Sequence, residues 1–178
     1  MSPRTELAAT MAAAADHLLA GLDDARRAAA TWPFPADDER TVWFYTPTDH
    51  HGLALADMTG DQQRRTHRLL ATGLSTPGYV TVATIMGLEN VLDHVEGWQA
   101  DFGRDRGRDP HLYWLAIFGT PDSERSWGWR FGGHHVSVNI TIVAGEVVGT
   151  TPLFLGADPA SAPLLGPHQP VLEAEHRL

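Results

Sequence analysis

Residues Trp127–Ile142 read WGWRFGGHHVSVNITI, a stretch that combines alternating apolar side chains with a glycine pair and two adjacent histidines. Side chains on a β-strand point alternately to its two faces. Trp127, Trp129 and Phe131 therefore share one face, whereas the apolar residues after the glycines fall on even positions and share the other. One extra residue at Gly132-Gly133 restores a continuous apolar face. We therefore predict one strand with a β-bulge, a feature that favours glycine and recurs beside active sites.

The face opposite the predicted core carries hydrogen-bonding groups. With the bulge, it consists of Arg130, His135, Ser137, Asn139 and Thr141. We interpret this row as a candidate site in which a histidine faces a polar pocket. The alternative is an ordinary solvated face, because an antiparallel sheet often has one face in water. Periodicity alone favours that alternative.

His134 falls on the predicted apolar face, where a histidine is more often a hydrogen-bonded core residue than a metal ligand. In a regular strand, the adjacent His134 and His135 point in opposite directions and do not easily bind one metal ion. A bulge relaxes this restriction. The pair therefore stays a candidate for metal binding only if the strand is irregular.

The composition predicts a folded chain with no affinity for nucleic acids or membranes. A length of 178 residues fits one domain, and a hydrophobic fraction of 43% with six tryptophans provides a core. The net charge of −9 disfavours phosphate-rich partners, and no run approaches the roughly 18 apolar residues of a membrane span. The absence of cysteine excludes thiolate chemistry, and the N-terminus lacks the pattern of a signal peptide. We expect a cytoplasmic protein.

The predicted elements run in the order helix, strand, two helices and then several strands. Predicted helices cover residues 6–30, 59–74 and 75–98; predicted strands cover 40–45, 112–118, 136–143 and 146–150, with a hairpin turn near Ala144-Gly145. The polar stretch 101–110 is expected to be a loop with salt bridges on a solvated surface. Successive strands at the end favour an α+β fold, in which helices pack on one side of an antiparallel sheet.

We predict a single domain over residues 1–178. It comprises an N-terminal helix and linker over 1–39, a core over 40–150 and an irregular tail over 151–178, which is rich in proline and glycine. From Val171 onward the tail reads as the first turns of an unfinished helix, as a truncated chain would.

Other candidate ligands lie outside this stretch. His50 and His51 occupy a loop flanked by proline and glycine, where both imidazoles could face one ion, although loop histidines are usually solvated. Glu89 and Asp93 lie one helical turn apart and could supply carboxylates, although such a pair is more often a solvent-facing edge. Nucleotide-binding and serine-hydrolase motifs are absent from the sequence.

The sequence resembles a family of bacterial and fungal proteins, domain of unknown function number thirty-five hundred. The matching motifs are RTVWFYTP (40–47), GL (52–53), QQ (62–63), LS (74–75) with GY (78–79), IM (85–86) with LE (88–89), RDP (108–110), Tyr113, FGTP (118–121), WGWR (127–130), GHH (133–135) with Ser137 and Asn139, and TP (151–152) with Phe154. Together they cover about residues 40–159 in order. The chain departs from the family at Gly132, where an acidic residue is common.

The resemblance implies that this chain corresponds to the N-terminal half of longer proteins. Family members are roughly twice as long and have a second histidine cluster in their other half. The paired histidines of this chain and the second cluster of the longer members imply a metal held between the two halves, and imidazole ligands suit zinc, copper or iron. A homo-oligomer or a partner chain is then expected to supply the missing half.

Our leading hypothesis is a metal-dependent enzyme of unassigned reaction that acts on a small molecule. His134 and His135 are the predicted ligands, and His50, His51 or Glu89 is expected to complete the coordination shell; Arg130 is expected to orient an anionic group, with Ser137 and Asn139 positioning substrate. One alternative is a non-catalytic module for ligand binding or assembly. Another is a truncated family member that lacks part of its site.

Overall fold

The computed structural model of the protein describes residues 2–122 and 124–161, together with Leu172. The predicted helical start from Val171 onward lies outside these residues, apart from Leu172. Helices in the described residues are α1 (Pro3–Leu19), α2 (Asp24–Ala30), α3 (Asp37–Arg40), α4 (Gly60–Thr72) and α5 (Thr76–Val95), with a short 3-10 turn at Leu55–Asp57. Strands are β1 (Thr31–Trp32), β2 (Leu53–Ala54), β3 (Tyr113–Phe118), β4 (Trp127–Gly133), β5 (Val136–Val143), β6 (Glu146–Gly149) and β7 (Leu153–Leu155).

The strands form one mixed sheet in the order β1-β3-β4-β5-β6, with β2 pairing with β3 and β7 with β5. Every pair is antiparallel except β1–β3. Apolar side chains from one face of β3, β4 and β5 pack against α1, α4 and α5, and Trp127 and Trp129 are fully buried there. The predicted α+β fold is confirmed, and the long helices α1, α4 and α5 pack on one side of the sheet.

The predicted first helix is two helices. α1 begins with Pro3 after Ser2, whose side chain accepts a hydrogen bond from the Thr5 amide. The chain leaves the helix after Leu19, and Asp23 caps a new one by accepting a hydrogen bond from the Arg26 amide. Aspartate is a preferred N-cap because its carboxylate satisfies a free amide of the first turn.

The predicted strand over residues 40–45 is wrong. α3 ends at Arg40, and the following residues lie across the polar face of the sheet without pairing with a strand. Aromatic and β-branched residues favour strands because they pack well on a pleated, half-buried surface. Here Trp43 and Tyr45 stay largely exposed, so these aromatic residues form part of the protein surface and do not belong to a strand.

The polar stretch 101–110 forms no helix or strand, as predicted. Its arginines pair with carboxylates of other segments, with distances of 2.6 Å for Arg104–Asp49, 3.2 Å for Arg106–Asp93 and 2.7 Å for Arg108–Glu96. The expectation of a solvated surface is wrong for Arg108, which is buried. The loop is thereby fastened to α5 and to the segment before β2.

None of the helices in the described residues is long and apolar enough to cross a membrane.

Gly133 illustrates how tightly β3 and β4 pack. A Cβ at this position would lie 2.6 Å from Tyr113 Cδ1 and 2.7 Å from the Leu112 carbonyl oxygen. Gly133→Ala is therefore expected to lower the free energy of unfolding by about 2 kcal/mol, as overpacking does. Gly87 in α5 is the matched control, because a Cβ there meets no atom within 4 Å. Gly87→Ala should stabilise the helix by roughly 0.5–1 kcal/mol. Urea denaturation that shows equal stability for both variants would contradict this packing.

Candidate functional site

Residues Trp127–Ile142 fold into two strands rather than one. β4 and β5 pair antiparallel, from Trp127 opposite Ile142 to Gly133 opposite Val136. His134 and His135 form the two-residue turn between them. The predicted bulge is therefore wrong. The apolar residues share a face because residues directly opposite each other in an antiparallel pair point to the same side.

The predicted grouping of polar residues is nevertheless correct for the strand positions. Arg130 lies opposite Asn139, and Gly132 lies opposite Ser137. This face is not solvated: Arg130, Ser137 and Asn139 are 5%, 1% and 5% exposed. The residues from α3 to β2, which we call the covering segment, lie over this face together with the residues around β7. His135, predicted on the same face, lies in the turn instead.

A buried carboxylate holds His134. Its Nδ1 lies 2.5 Å from Oε1 of Glu89 on α5, and both side chains are buried. Because Glu89 occupies Nδ1, Nε2 is the nitrogen of His134 that can bind another group. A carboxylate on the second ring nitrogen is the usual partner of a metal-bound histidine, since it fixes the tautomer and the ring orientation.

The backbone of His134 is fixed as well. The Tyr113 hydroxyl donates a hydrogen bond of 2.8 Å to the His134 carbonyl oxygen. Burial, with a further contribution from the charge of Glu89, raises the pKa of Tyr113 well above its usual value. The hydroxyl therefore stays protonated and remains a donor. Helix α5 and strand β3 thus hold the same turn residue from two sides.

His135 occupies the left-handed region, with φ at +58°. Its amide donates to the Tyr45 carbonyl oxygen at 3.1 Å, and its own carbonyl oxygen accepts from the Gly156 amide at 2.9 Å. The turn brings the ring centroids of His134 and His135 within 4.3 Å. The two rings lie together because they belong to a turn, so the restriction expected for a strand does not apply.

Burial lowers the pKa of His135, with the neighbouring His134 as the second cause. A histidine with a lowered pKa is neutral at physiological pH, and the neutral imidazole is the form that binds metals. Nδ1 of His135 is buried and makes no hydrogen bond with the described part of the chain.

Asp158 completes a group of possible metal ligands with His134 and His135. One ligand atom from each of these side chains lies within 4.8 Å of the other two. Ligands bound about 2.1 Å from a shared ion are at most roughly 4.2 Å apart, so only small side-chain rotations separate this arrangement from a coordination shell. Asp158 was not predicted from the sequence, because no ligand motif has a spacing that relates a residue in a proline-rich tail to histidines in a hairpin.

The charges around this group favour a cation. Arg108 bonds Glu96 through two nitrogens, at 2.9 and 2.7 Å, and its Nη1 lies 3.9 Å from Oε2 of Glu89. With Asp158, three carboxylates face this one guanidinium, so the four groups carry a net charge of −2. A divalent cation at the histidines would neutralise it.

A small cavity of about 10 Å³ adjoins His134. Glu89, Arg104, Asp109 and Trp114 contribute to its walls. This volume holds about one water molecule. The space behind the histidine therefore suits a bound water rather than a substrate.

Arg130 clamps the covering segment onto the sheet. Its Nη2 donates to Glu39 Oε1 at 2.6 Å and to the His51 carbonyl oxygen at 3.0 Å. Its Nη1 donates to the carbonyl oxygens of Glu39 at 2.6 Å and Val42 at 3.1 Å. Although burial acts to raise the pKa of Glu39, hydrogen bonds from His51 and Arg130 lower it. These contacts occupy both terminal nitrogens of Arg130 and favour a structural role over the predicted binding of a substrate anion.

Asn139 joins β5 to the residues that cover the sheet, and Ser137 is its partner on the strand. Asn139 Nδ2 donates to Ser137 Oγ at 3.0 Å and to the Pro152 carbonyl oxygen at 2.8 Å. Asn139 thus connects β5 to the residues before β7, while Ser137 accepts the other hydrogen of the same amide group. The hypothesis that they position a substrate stays a prediction.

His50 and His51 lie in the covering segment. The group of possible ligands found in the described ranges includes neither of them, nor Glu89. His51 is mostly exposed, stacks on Trp32 and lies 2.8 Å from Glu39 Oε2 through its Nδ1. His50 packs between Phe44 and Trp114, with ring centroids 4.7 and 5.0 Å away. Both histidines serve the contact between this segment and the sheet.

The hydrogen bonds of Arg130 predict that its removal lowers the stability of the protein. Arg130→Met leaves the largely buried Glu39 carboxylate without its cation, so the free energy of unfolding should fall by about 3 kcal/mol. Arg125→Met is the control, because Arg125 is exposed and lies 3.7 Å from Asp122; its effect should stay below about 0.5 kcal/mol. Chemical denaturation measures both. Unchanged stability of Arg130→Met would point back to a role in substrate binding.

His50 predicts a pH dependence. Burial, and after it the charge of Arg130, lowers the pKa of His50 to about 4, from the usual 6.5. The unfolded chain therefore binds a proton below about pH 6.5 that the folded chain accepts only near pH 4, so stability falls as pH decreases through this window. Because the ring is partly exposed, we expect this loss to be on the order of 1 kcal/mol. His50→Gln should lose less stability than the wild-type protein across the window; parallel curves from thermal unfolding would refute the assignment.

Comparison with known proteins identifies the family. The family model described as Protein of unknown function (DUF3500) matches residues 4–177. The match includes the N-terminal helices, which lie outside the motifs that carry the resemblance. Searches of curated proteins and of solved structures found no match. The fold and the histidine turn described above are therefore those of a member of the DUF3500 family, to which this chain belongs.

Proposed function

We propose that this protein is a metal-dependent enzyme whose metal centre is formed by His134, His135 and Asp158. The observation that carries the proposal is the convergence of these three side chains at the β4–β5 turn, within 4.8 Å of one another. The lowered pKa of His135 and the surplus of negative charge nearby support it.

The ligand set favours particular metals. Two imidazole nitrogens and one carboxylate oxygen are the protein ligands of many catalytic zinc sites and of non-haem ferrous iron sites. We place zinc and iron ahead of copper, which prefers tetragonal sites richer in nitrogen. Three protein ligands leave at least one coordination position for water or substrate. A bound metal would then polarise a substrate oxygen or activate water.

Glu89 acts in this proposal through His134 rather than as a ligand. It fixes the His134 tautomer so that Nε2 faces the metal position, and the Arg108 guanidinium lies 3.9 Å from its other carboxylate oxygen. Arg108 is itself held by Glu96. The surrounding ionic network therefore fixes the donor atom before any metal binds, which reduces the entropy lost on binding.

The charge of the chain supports small-molecule rather than polyanionic substrates. A net charge of −9 repels nucleic acids and anionic membranes. We retain a cytoplasmic location as a prediction.

The first experiment is metal analysis of protein purified without a histidine tag. We expect about one zinc or iron ion per chain, and we expect His134→Ala, His135→Ala and Asp158→Ala each to abolish stoichiometric binding. His94→Ala is the control, since His94 lies on the same helix as Glu89 but is exposed. Atomic emission spectrometry and isothermal titration with zinc give the readouts.

Further variants separate the possible roles. Glu89→Gln should weaken zinc affinity roughly 10- to 100-fold without abolishing it, as expected for a residue that orients a ligand. His50→Ala and His51→Ala should keep wild-type affinity. The proposal fails if the wild-type protein contains no metal and its melting temperature does not rise with zinc, copper or iron.

A further inference from the structure

Three aromatic side chains form a surface cluster beside the histidine turn, which we call the aromatic patch: Trp43, Tyr45 and Phe154. Trp43 and Tyr45 are 44% and 53% exposed, and Phe154 is half-buried. Ring centroids lie 5.7 Å apart for Trp43–Phe154, 6.1 Å for Tyr45–Phe154 and 6.3 Å for Trp43–Tyr45. These separations are those of rings in mutual contact. Contiguous exposed apolar surface of this kind commonly marks a binding site.

The aromatic patch adjoins a residue of the proposed metal centre. The ring of His135 lies 6.4 Å from that of Tyr45 and 6.1 Å from that of Phe154. A ligand that touches the patch would therefore lie next to a proposed metal ligand. The patch thus borders the proposed metal centre at His135.

Backbone contacts with the hairpin hold the patch in place. The Tyr45 carbonyl oxygen accepts from the His135 amide, and Phe154 pairs with Ser137 across β5 and β7. Val42, next to Trp43, accepts a hydrogen bond from Arg130. The rings are thus presented by a fixed backbone, which lowers the entropic cost of binding a ligand.

The size of the patch argues for a small ligand. A fully buried aromatic side chain covers roughly 200 Å², so two rings that are about half exposed and a third that is less exposed offer on the order of 250 Å². A stable protein interface needs about 800 Å² from each partner. The patch falls well below that area and is comparable to the two faces of a single aromatic ring.

We infer that the substrate of this site is a small aromatic molecule with oxygen substituents, whose ring packs on the aromatic patch. Aromatic rings pair favourably with one another in offset or edge-to-face contact. The proposed centre leaves positions open for oxygen donors, and hydroxyl groups on a ring at the patch would supply them. This inference rests on the proposed function, because it assigns the substrate class of that same site.

The test uses the full chain loaded with zinc and titrated with 4-nitrocatechol, whose absorbance changes on binding. We expect saturable binding, weakened about 3- to 10-fold by Trp43→Ala and by Tyr45→Ala, since an aromatic pair contributes about this factor. Trp43→Phe retains a ring and should keep most of the affinity. Trp98→Ala is the matched control, because Trp98 is another exposed tryptophan, 64% exposed, and contacts His94 instead; it should bind as the wild type does.

Zinc content measured on the same samples separates the two proposals. If zinc is bound and the alanine variants bind 4-nitrocatechol as tightly as the wild type, or if no binding occurs, the aromatic assignment is overturned. It is overturned equally if non-aromatic trans-1,2-cyclohexanediol competes as well as catechol does, or if light scattering shows a dimer that Trp43→Ala dissociates. If the wild type binds no zinc but Trp43→Ala still weakens its binding of 4-nitrocatechol, the aromatic patch is supported as a binding site and the proposed metal centre is refuted.

Discussion

The reversal of the chain at His134 and His135 governs the arrangement of the rest of the molecule. Because the turn has only two residues, β4 and β5 pair in a register that sends Trp127, Trp129 and Phe131 to the same face as the apolar residues of β5. That face receives three helices and forms the core. The turn itself projects two imidazoles together, which neither strand could do.

The opposite face of the sheet carries polar side chains and is nevertheless buried. Arg130 is buried there because four acceptors from the covering segment surround its guanidinium, one of them a carboxylate. A buried charge is tolerated only when it is paired and hydrogen-bonded in this way. The same contacts anchor the segment that presents Trp43 and Tyr45 beside the turn. Stability and the proposed recognition surface thus depend on one cation.

The ionic network behind His134 links α5 to the hairpin. Glu89 would be costly to bury alone, and it is accommodated between an imidazole and Arg108, whose own charge is shared with Glu96. The loop that carries Arg108 is tied to α5 and to the covering segment through Arg106 and Arg104. The residues that surround the proposed metal position therefore come from four distant parts of the chain, held by charges rather than by one secondary-structure element.

The sequence by itself determined the fold class, the two long helices before the sheet, and the polar grouping of Arg130, Ser137 and Asn139, because periodicity and capping are local properties. It also identified His134 and His135 as candidate ligands, although the argument assumed a bulge that the structure does not contain. A bulge and a two-residue turn both bring the apolar residues on either side of the glycines to one face. Only the tertiary structure decided that the polar face is covered, that Glu89 binds His134, and that Asp158 joins the two histidines. Those are contacts between residues from 23 to 45 positions apart or between whole layers, and no local pattern encodes which surfaces meet.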